Sequence, residues 1–190
     1  MKNKLLALAL AATLPTVALA DDWMMRVRAV QIAPDVSSSL AGLDVSDEWV
    51  PEVDFTYFLT KNIGMELILG TARHEVTLNG ASLGKLSHLP PTLTLQYHFN
   101  PTGAVKPYVG AGINYTRFYN VDLPGLKVDN NSFGGALQAG VDIAVTKNGY
   151  LNLDVKKIWI DTTVKTTAGA HVSSLDIDPV VWGIGYGFRF

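Results

Sequence analysis

From Trp23 to the C-terminus, apolar and polar residues alternate with a period of two along most of the chain. Successive side chains of a β-strand point to opposite faces, so this period predicts strands. The alternation falls into eight stretches, at about 23–33, 46–60, 62–78, 87–100, 105–119, 131–146, 149–165 and 173–190. Their connections alternate in length. Thr60 to Asn62, Asn100 to Ala104 and Thr146 to Gly149 are short and carry turn residues. Pro34 to Val45, Asn79 to Leu86, Asn120 to Asn130 and Thr166 to Val172 are mostly longer and richer in Gly, Ser or Asn. Short turns at one end and longer loops at the other predict an all-β fold, an eight-stranded antiparallel transmembrane β-barrel.

A soluble sandwich also alternates, so the polar face decides between the two. It carries charges, amides and glycines in nearly every stretch, as Glu52, Asp54 and Thr56 show in the second and Gly110, Gly112 and Asn114 in the fifth. Small and mutually pairing groups suit the crowded interior of a narrow barrel. The opposite face reads Trp49, Val53, Phe55, Tyr57 in the second stretch and Trp182, Ile184, Tyr186, Phe188, Phe190 in the last, and is expected to meet lipid. Aromatics cluster near stretch ends, as interfacial girdles do. A last strand with aromatics at 186, 188 and 190 is what outer-membrane assembly machinery reads, so that machinery is an expected partner together with the membrane lipids.

Residues 1–20 stand apart. Lys2 and Lys4 precede an apolar run from Leu5 to Leu14, and Ala18-Leu19-Ala20 is a small-x-small cleavage site. This predicts a secretory signal peptide over 1–20 and a mature outer-membrane β-barrel over 21–190. Export of this kind places the protein in the outer membrane of a Gram-negative cell. Losing the two signal lysines takes the formal charge from −2 to −4, which argues against nucleic acid as a partner. There is no cysteine, so thiol catalysis, thiolate metal sites and disulfides are excluded. After residue 20 no run reaches about 18 apolar residues, which excludes a helical membrane protein.

Several blocks resemble the OmpW family of outer-membrane proteins: Asn62-Ile63-Gly64-Met65-Glu66-Leu67, His88-Leu89-Pro90-Pro91-Thr92-Leu93, and Lys106-Pro107-Tyr108-Val109-Gly110-Ala111-Gly112-Ile113-Asn114-Tyr115-Thr116. Gly140-Val141-Asp142, Ile160-Asp161-Thr162-Thr163, Leu175-Asp176-Ile177-Asp178-Pro179 and the ending Gly185 to Phe190 extend the match over the whole mature chain. The resemblance implies an eight-stranded barrel with a narrow hydrophobic channel, in a family that includes alkane-import proteins.

Strand direction sorts the inward residues by height. Toward the long-loop end lie Val30, Ile32, Val50, Val76, Pro90, Phe118, Ile158, Ile160, Leu175 and Ile177, an apolar chute read as a ligand channel. Toward the short-turn end lie Arg26, Arg28, Glu52, Asp54, Glu66, Asp142, Lys156 and Arg189, a plug of opposite charges. A channel that passes small hydrophobic molecules is the expected function, with lateral exit into the bilayer because the plug blocks the axis. Pro90, Pro91 and Pro179 interrupt strands and are candidate wall openings, or else they only shape the rim. The alternative is a structural barrel, or a surface receptor or adhesin for phage or bacteriocin, with a filled lumen.

Catalysis is not expected. Ser87 and His88 are adjacent, but alternation sends them to opposite faces. His74 and His88 both face inward at the rim, on neighbouring strands, but two histidines without a third ligand are a weak metal site. They read instead as polar rim residues or a pH-sensitive constriction, and no metal or cofactor is expected. Lys157 is the one charge expected on the lipid face, placed to snorkel toward the headgroups unless a bulge shifts the register there.

Overall fold

A computed structural model describes residues 22–190, so the expected signal peptide lies outside the described residues. Fifteen strands and no helix are described: β1 (Trp23–Ala33), β2 (Ser37–Ser38), β3 (Leu43–Val45), β4 (Glu48–Phe58), β5 (Ile63–Gly70), β6 (Ala72–Leu78), β7 (Ala81–Leu89), β8 (Thr92–His98), β9 (Val105–Asp122), β10 (Leu126–Val128), β11 (Asn131–Ala144), β12 (Gly149–Ile158), β13 (Asp161–Thr166), β14 (His171–Asp176) and β15 (Val180–Arg189). All ladders are antiparallel. The order β11-β12-β15-β1-β4-β5-β8-β9 closes back onto β11, giving an eight-stranded barrel. Closure pairs the eight strands around the barrel, as the bilayer demands where an unpaired backbone group has no water to bond, and among the described residues leaves the upper end of β4 unpaired on its β5 side.

Alternation sorts side chains as expected. Along β8 every second residue, Thr92 to His98, is buried, while Leu93, Leu95 and Tyr97 are exposed on the outside. Glycine supplies the room the lumen needs. A Cβ on Gly112 would stand 2.0 Å from the carbonyl oxygen of Leu93, so β8 and β9 can approach as they do only without a side chain there. Trp49, Tyr115, Phe133, Trp159 and Trp182 ring the outside toward the long-loop end. Trp23, Tyr97, Phe99, Tyr186 and Phe188 ring the short-turn end, with the half-buried Tyr57 packed on Trp23.

Four of the eight expected strands are broken above the first ring, at Thr71, at Pro90-Pro91, at Trp159-Ile160 and at Ile177 to Pro179. Beyond these breaks the chain continues as a crown of two sheet extensions. One is β3-β6-β7 joined to the upper half of β9; the other is the four-stranded sheet β10-β13-β14-β2. Much of what reads as loop is therefore paired strand. The segment Asn79–Leu86 is a tight hairpin whose Asn79 (φ 50°) and Gly80 (φ 80°) take the left-handed conformation of a type I′ turn, and β7 starts at Ala81. The segment Asn120–Asn130 contains the end of β9 and all of β10, and Pro34–Val45 contains β2 and β3. Backbone amides satisfied in this way need no loop to remain mobile.

Candidate functional site: an apolar upper lumen on a sealed ion-pair floor

The lower lumen is built by Arg26 and Arg28, successive inward positions of β1. Both are fully buried, and both reach across the barrel. Arg26 makes a two-pronged contact with Asp142, Nε to Oδ1 at 3.0 Å and Nη2 to Oδ2 at 2.7 Å. Its Nη1 donates to Asp54 Oδ1 at 3.0 Å and Thr56 Oγ1 at 2.9 Å. Arg28 donates to Asn152 Oδ1 at 2.7 Å, Glu52 Oε1 at 2.8 Å and Glu66 Oε1 at 3.1 Å. Asp54 Oδ2 lies 2.8 Å from Arg28 Nη1 but off the hydrogen-bonding line, so that contact is purely ionic. Lys156 joins Glu52 at 2.8 Å to Asp154 at 2.7 Å.

Neutral groups complete the floor. Gln96 and Thr94 donate to Glu66 Oε2 at 2.8 and 3.0 Å, and Gln138 donates to Asp154 at 2.8 Å. Tyr108, absent from the sequence-based set, donates to Asp154 at 2.6 Å, and its ring lies under Arg26 with 5.3 Å from Cζ to centroid. Its parity with Gly110, Gly112 and Asn114 was the available signal. Buried charges are tolerated only when paired, and every charge of this network is paired; Asp54 Oδ2 alone is held by an ionic contact and no hydrogen bond. Arg189, expected in the plug, is half-buried below it and stacks on Phe58 with 4.1 Å from Cζ to centroid. Met24, Phe58 and Tyr150 pack together at this end.

Above the floor the lumen is apolar. Val30, Ile32, Val76, Phe118, Ile158, Ile160, Leu175 and Ile177 belong to one buried cluster, with Val50 packed against it and Pro90 half-buried beside it. The sequence reading missed the part contributed by the crown, namely Leu86, Leu123, Val128 and Val164. These side chains fill what reads as an open chute. The cavity that remains is about 30 Å³, lined by Val30, Ile68, Ile158 and Ile160 with Glu52, Thr92 and His88 at its polar edge. One water needs roughly 10–15 Å³ of such space, so the cavity takes a water or two and no hydrocarbon chain.

The prolines do not open the wall. Asn114 Nδ2 donates to the carbonyls of Pro90 and Pro91 at 3.2 and 3.3 Å, and Tyr115 N reaches Pro91 O at 3.0 Å. At Pro179 the carbonyl accepts from Ile158 N at 3.1 Å, while Asp178 Oδ1 accepts from Ile160 N at 2.9 Å. The ladder gap lies elsewhere. Pairing of β4 with β5 stops at Glu52–Gly70, and β6 then pairs with β3 rather than with the upper end of β4. The cavity lining includes Val50, Gly70, Thr71 and Ala72 at this gap. Lys157 reaches upward, donating to Asp178 O at 2.6 Å and pairing with Asp35 at 3.3 Å, which is the snorkelling its position predicts.

His74 and His88 meet in the crown, where the outward neighbours Arg73, Glu75 and Lys85 place these strands beyond the hydrocarbon layer. The His74 and His88 Nε2 atoms are 2.9 Å apart. His74 Nδ1 donates to Ser46 O at 2.6 Å, so its Nε2 is the acceptor and His88 Nε2–H the donor. Among the described residues no third histidine or carboxylate joins them to form a metal-binding group. Burial pushes both imidazoles below their ordinary value, His88 to about 3, with the neighbouring His74 adding to the effect there. The pair ties β6, β7 and the Ser46 turn together. Because the folded values are lowered, its stabilisation is complete above about pH 6.5 and is lost as pH falls through that value toward 3. Crown unfolding followed by limited proteolysis should thus become easier from pH 6 to pH 4 in the wild type, and His74→Gln with His88→Gln should flatten that slope. An equal slope in the variant would remove the pair as its cause.

The OmpW family model matches residues 12–190. The chain is 44% identical over 183 residues to the uncharacterized outer-membrane protein y4mB of Sinorhizobium fredii, covering 88% of this chain and 80% of that one. It is 33% identical over 190 residues to outer membrane protein W of Escherichia coli, covering 90% and 89%. The crystal structure of OprG from Pseudomonas aeruginosa superposes with a TM-score of 0.79 at 30% identity, covering 89% of this chain and 95% of OprG. With the closed barrel, the polar floor and the apolar upper lumen, these matches identify the chain as a member of the OmpW family of outer-membrane proteins.

Proposed function

We propose that this barrel admits small hydrophobic molecules from its long-loop end, which faces outside the cell, and releases them sideways into the bilayer. The observation that carries this reading is the juxtaposition of the lumen's two halves. An apolar compartment stands directly on a sealed ion-pair floor, and its cavity touches the ladder gap between the upper end of β4 and Thr71-Ala72. A hydrophobic molecule gains about 25 cal/mol per Å² of surface removed from water in the apolar half. It gains nothing in the floor, where entry would break paired charges. The way out is therefore lateral. With only about 30 Å³ of free volume, entry requires the crown hairpins to part, and the ligand takes the place of crown side chains.

The same dense packing favours a second reading, a filled structural barrel whose outer surface serves as a receptor. Uptake of a labelled hydrophobe by cells carrying the wild type or a variant with Leu175→Asp and Ile177→Asp separates the two. Transport predicts that uptake falls to the level of cells lacking the barrel while the variant still reaches the membrane as a folded barrel. Unchanged uptake sinks the channel reading and leaves the filled barrel.

A further inference from the structure

We propose that the outer face of β6, β7 and β9 is a docking site for a phosphorylated glycolipid of the outer leaflet, a lipid A-type headgroup held through its phosphates. The inference rests on the orientation given above, with the long-loop end outside, and not on the transport reading.

Three strands build the face. Arg73 on β6 lies opposite Ser87 on β7, and Ser87 lies opposite Tyr119 on β9. One step toward the membrane on the same face, Leu89 lies opposite Arg117. Arg73 and Arg117 thus flank β7, and two strand spacings with two residues of offset separate their Cα atoms by about 12 Å. Both guanidinium groups can reach one headgroup from either side. The space between them is not empty. Tyr119 Oη and Thr71 Oγ1 are hydrogen-bonded across β7. Ser87 faces outward by its register and yet is only 4% exposed, because its neighbours cover it. The Thr71 and Tyr119 hydroxyls thus lie between two arginines.

Other cations toward this end have partners: on the other extension Lys165 pairs with Asp129 at 2.5 Å and Lys127 donates to the Thr167 carbonyl at 3.4 Å, and on β12 Lys157 pairs with Asp35 at 3.3 Å. Among the described residues neither Arg73 nor Arg117 forms an ion pair, and both are exposed. Further from the membrane, Lys85 lies opposite Glu75 on β6 and Asp122 on β9, and Glu75 accepts from Ser82 Oγ at 2.6 Å, so the positive charge of the patch is that of the two arginines. Directly below, Leu89, Leu93, Ile113 and Tyr115 are exposed and apolar. Cations above an apolar wall match an amphiphile with phosphates at its head and acyl chains beneath. The planar fork of arginine binds phosphate in pairs of hydrogen bonds, which makes it more selective for that group than a lysine.

The test uses the untagged barrel, refolded into phosphatidylcholine nanodiscs that carry either lipid A or the same lipid stripped of its phosphates. Lipid retained by the barrel is read by native mass spectrometry, and folding is confirmed by heat-dependent mobility on gels. The wild type should retain the phosphorylated lipid over the stripped one. Arg73→Gln with Arg117→Gln should lower that retention about tenfold or more, the worth of one or two charged hydrogen bonds. Lys61→Gln with Lys147→Gln removes the same charge from the short-turn end and should change nothing. Arg73→Lys with Arg117→Lys keeps charge but not the fork and should fall between. Equal retention of the two lipids by the wild type overturns the proposal. So does undiminished retention in the Arg73/Arg117 variant, or an equal loss in the Lys61/Lys147 control.

Discussion

Arg26→Met should cost about 3–5 kcal/mol of barrel stability. Arg26 is fully buried and holds Asp142 by two contacts and Asp54 by one, with Glu66 at 3.4 Å. Without it these carboxylates lose a shared counter-charge at a depth that water does not reach. The cost is mainly that of leaving charges unpaired rather than of losing a favourable bond, since a buried ion pair stabilises little over an apolar pair of the same shape. Changing Asp142→Asn in the Arg26→Met background should therefore recover part of the loss, a non-additivity expected of residues in one network. Urea unfolding in lipid vesicles, followed by the folded and unfolded bands of an unheated gel, measures both. A change below about 1 kcal/mol would mean that the floor is hydrated and not sealed.

The second large effect is expected at Ile160, which is 1% exposed within the upper cluster. Ile160→Asp loses about 2 kcal/mol of apolar transfer energy and adds the cost of an unpaired polar group, about 1–3 kcal/mol even after relaxation. The damage should stay local. Ile160 sits at the break between β12 and β13, and its amide is capped by Asp178, so the part of the crown above it, the separate sheet β10-β13-β14-β2, joins the barrel through few ladder bonds. The crown should open to protease while the membrane-embedded barrel keeps its folded mobility. Loss of the whole barrel instead would show that crown and barrel unfold as one unit.

How far the sequence could be read is clear from particular residues. Parity along β1 put Arg26 and Arg28 inside, with Val30 and Ile32 above them, and strand direction separated a charged half from an apolar half. Parity also contained Tyr108, but a tyrosine beside Pro107 in a stretch of outward apolar residues was not recognised as a floor group. The crown was harder to read. Leu86 and Val128 lie in segments with turn-like composition, and their burial depends on sheets that form only beyond the barrel. The prolines misled for a related reason. Proline marks a missing donor, but Asn114 on β9 bonds the carbonyls of Pro90 and Pro91, and Asp178, next to Pro179, accepts from the amide of Ile160 on the neighbouring chain segment, so bonds across strands keep the wall closed there.

The sequence by itself determined the closed barrel, its two faces and the side on which charges meet. A period of two leaves each residue one of two directions, and only one assignment keeps charges out of lipid. The tertiary structure alone decided which charges pair, such as Arg26 with Asp142 across 116 residues, and that the upper lumen is filled and not open. Both follow from how strands of given stagger close around a fixed circumference, and from how much volume the crown hairpins bring inward. Neither quantity is carried by the alternation of any single strand.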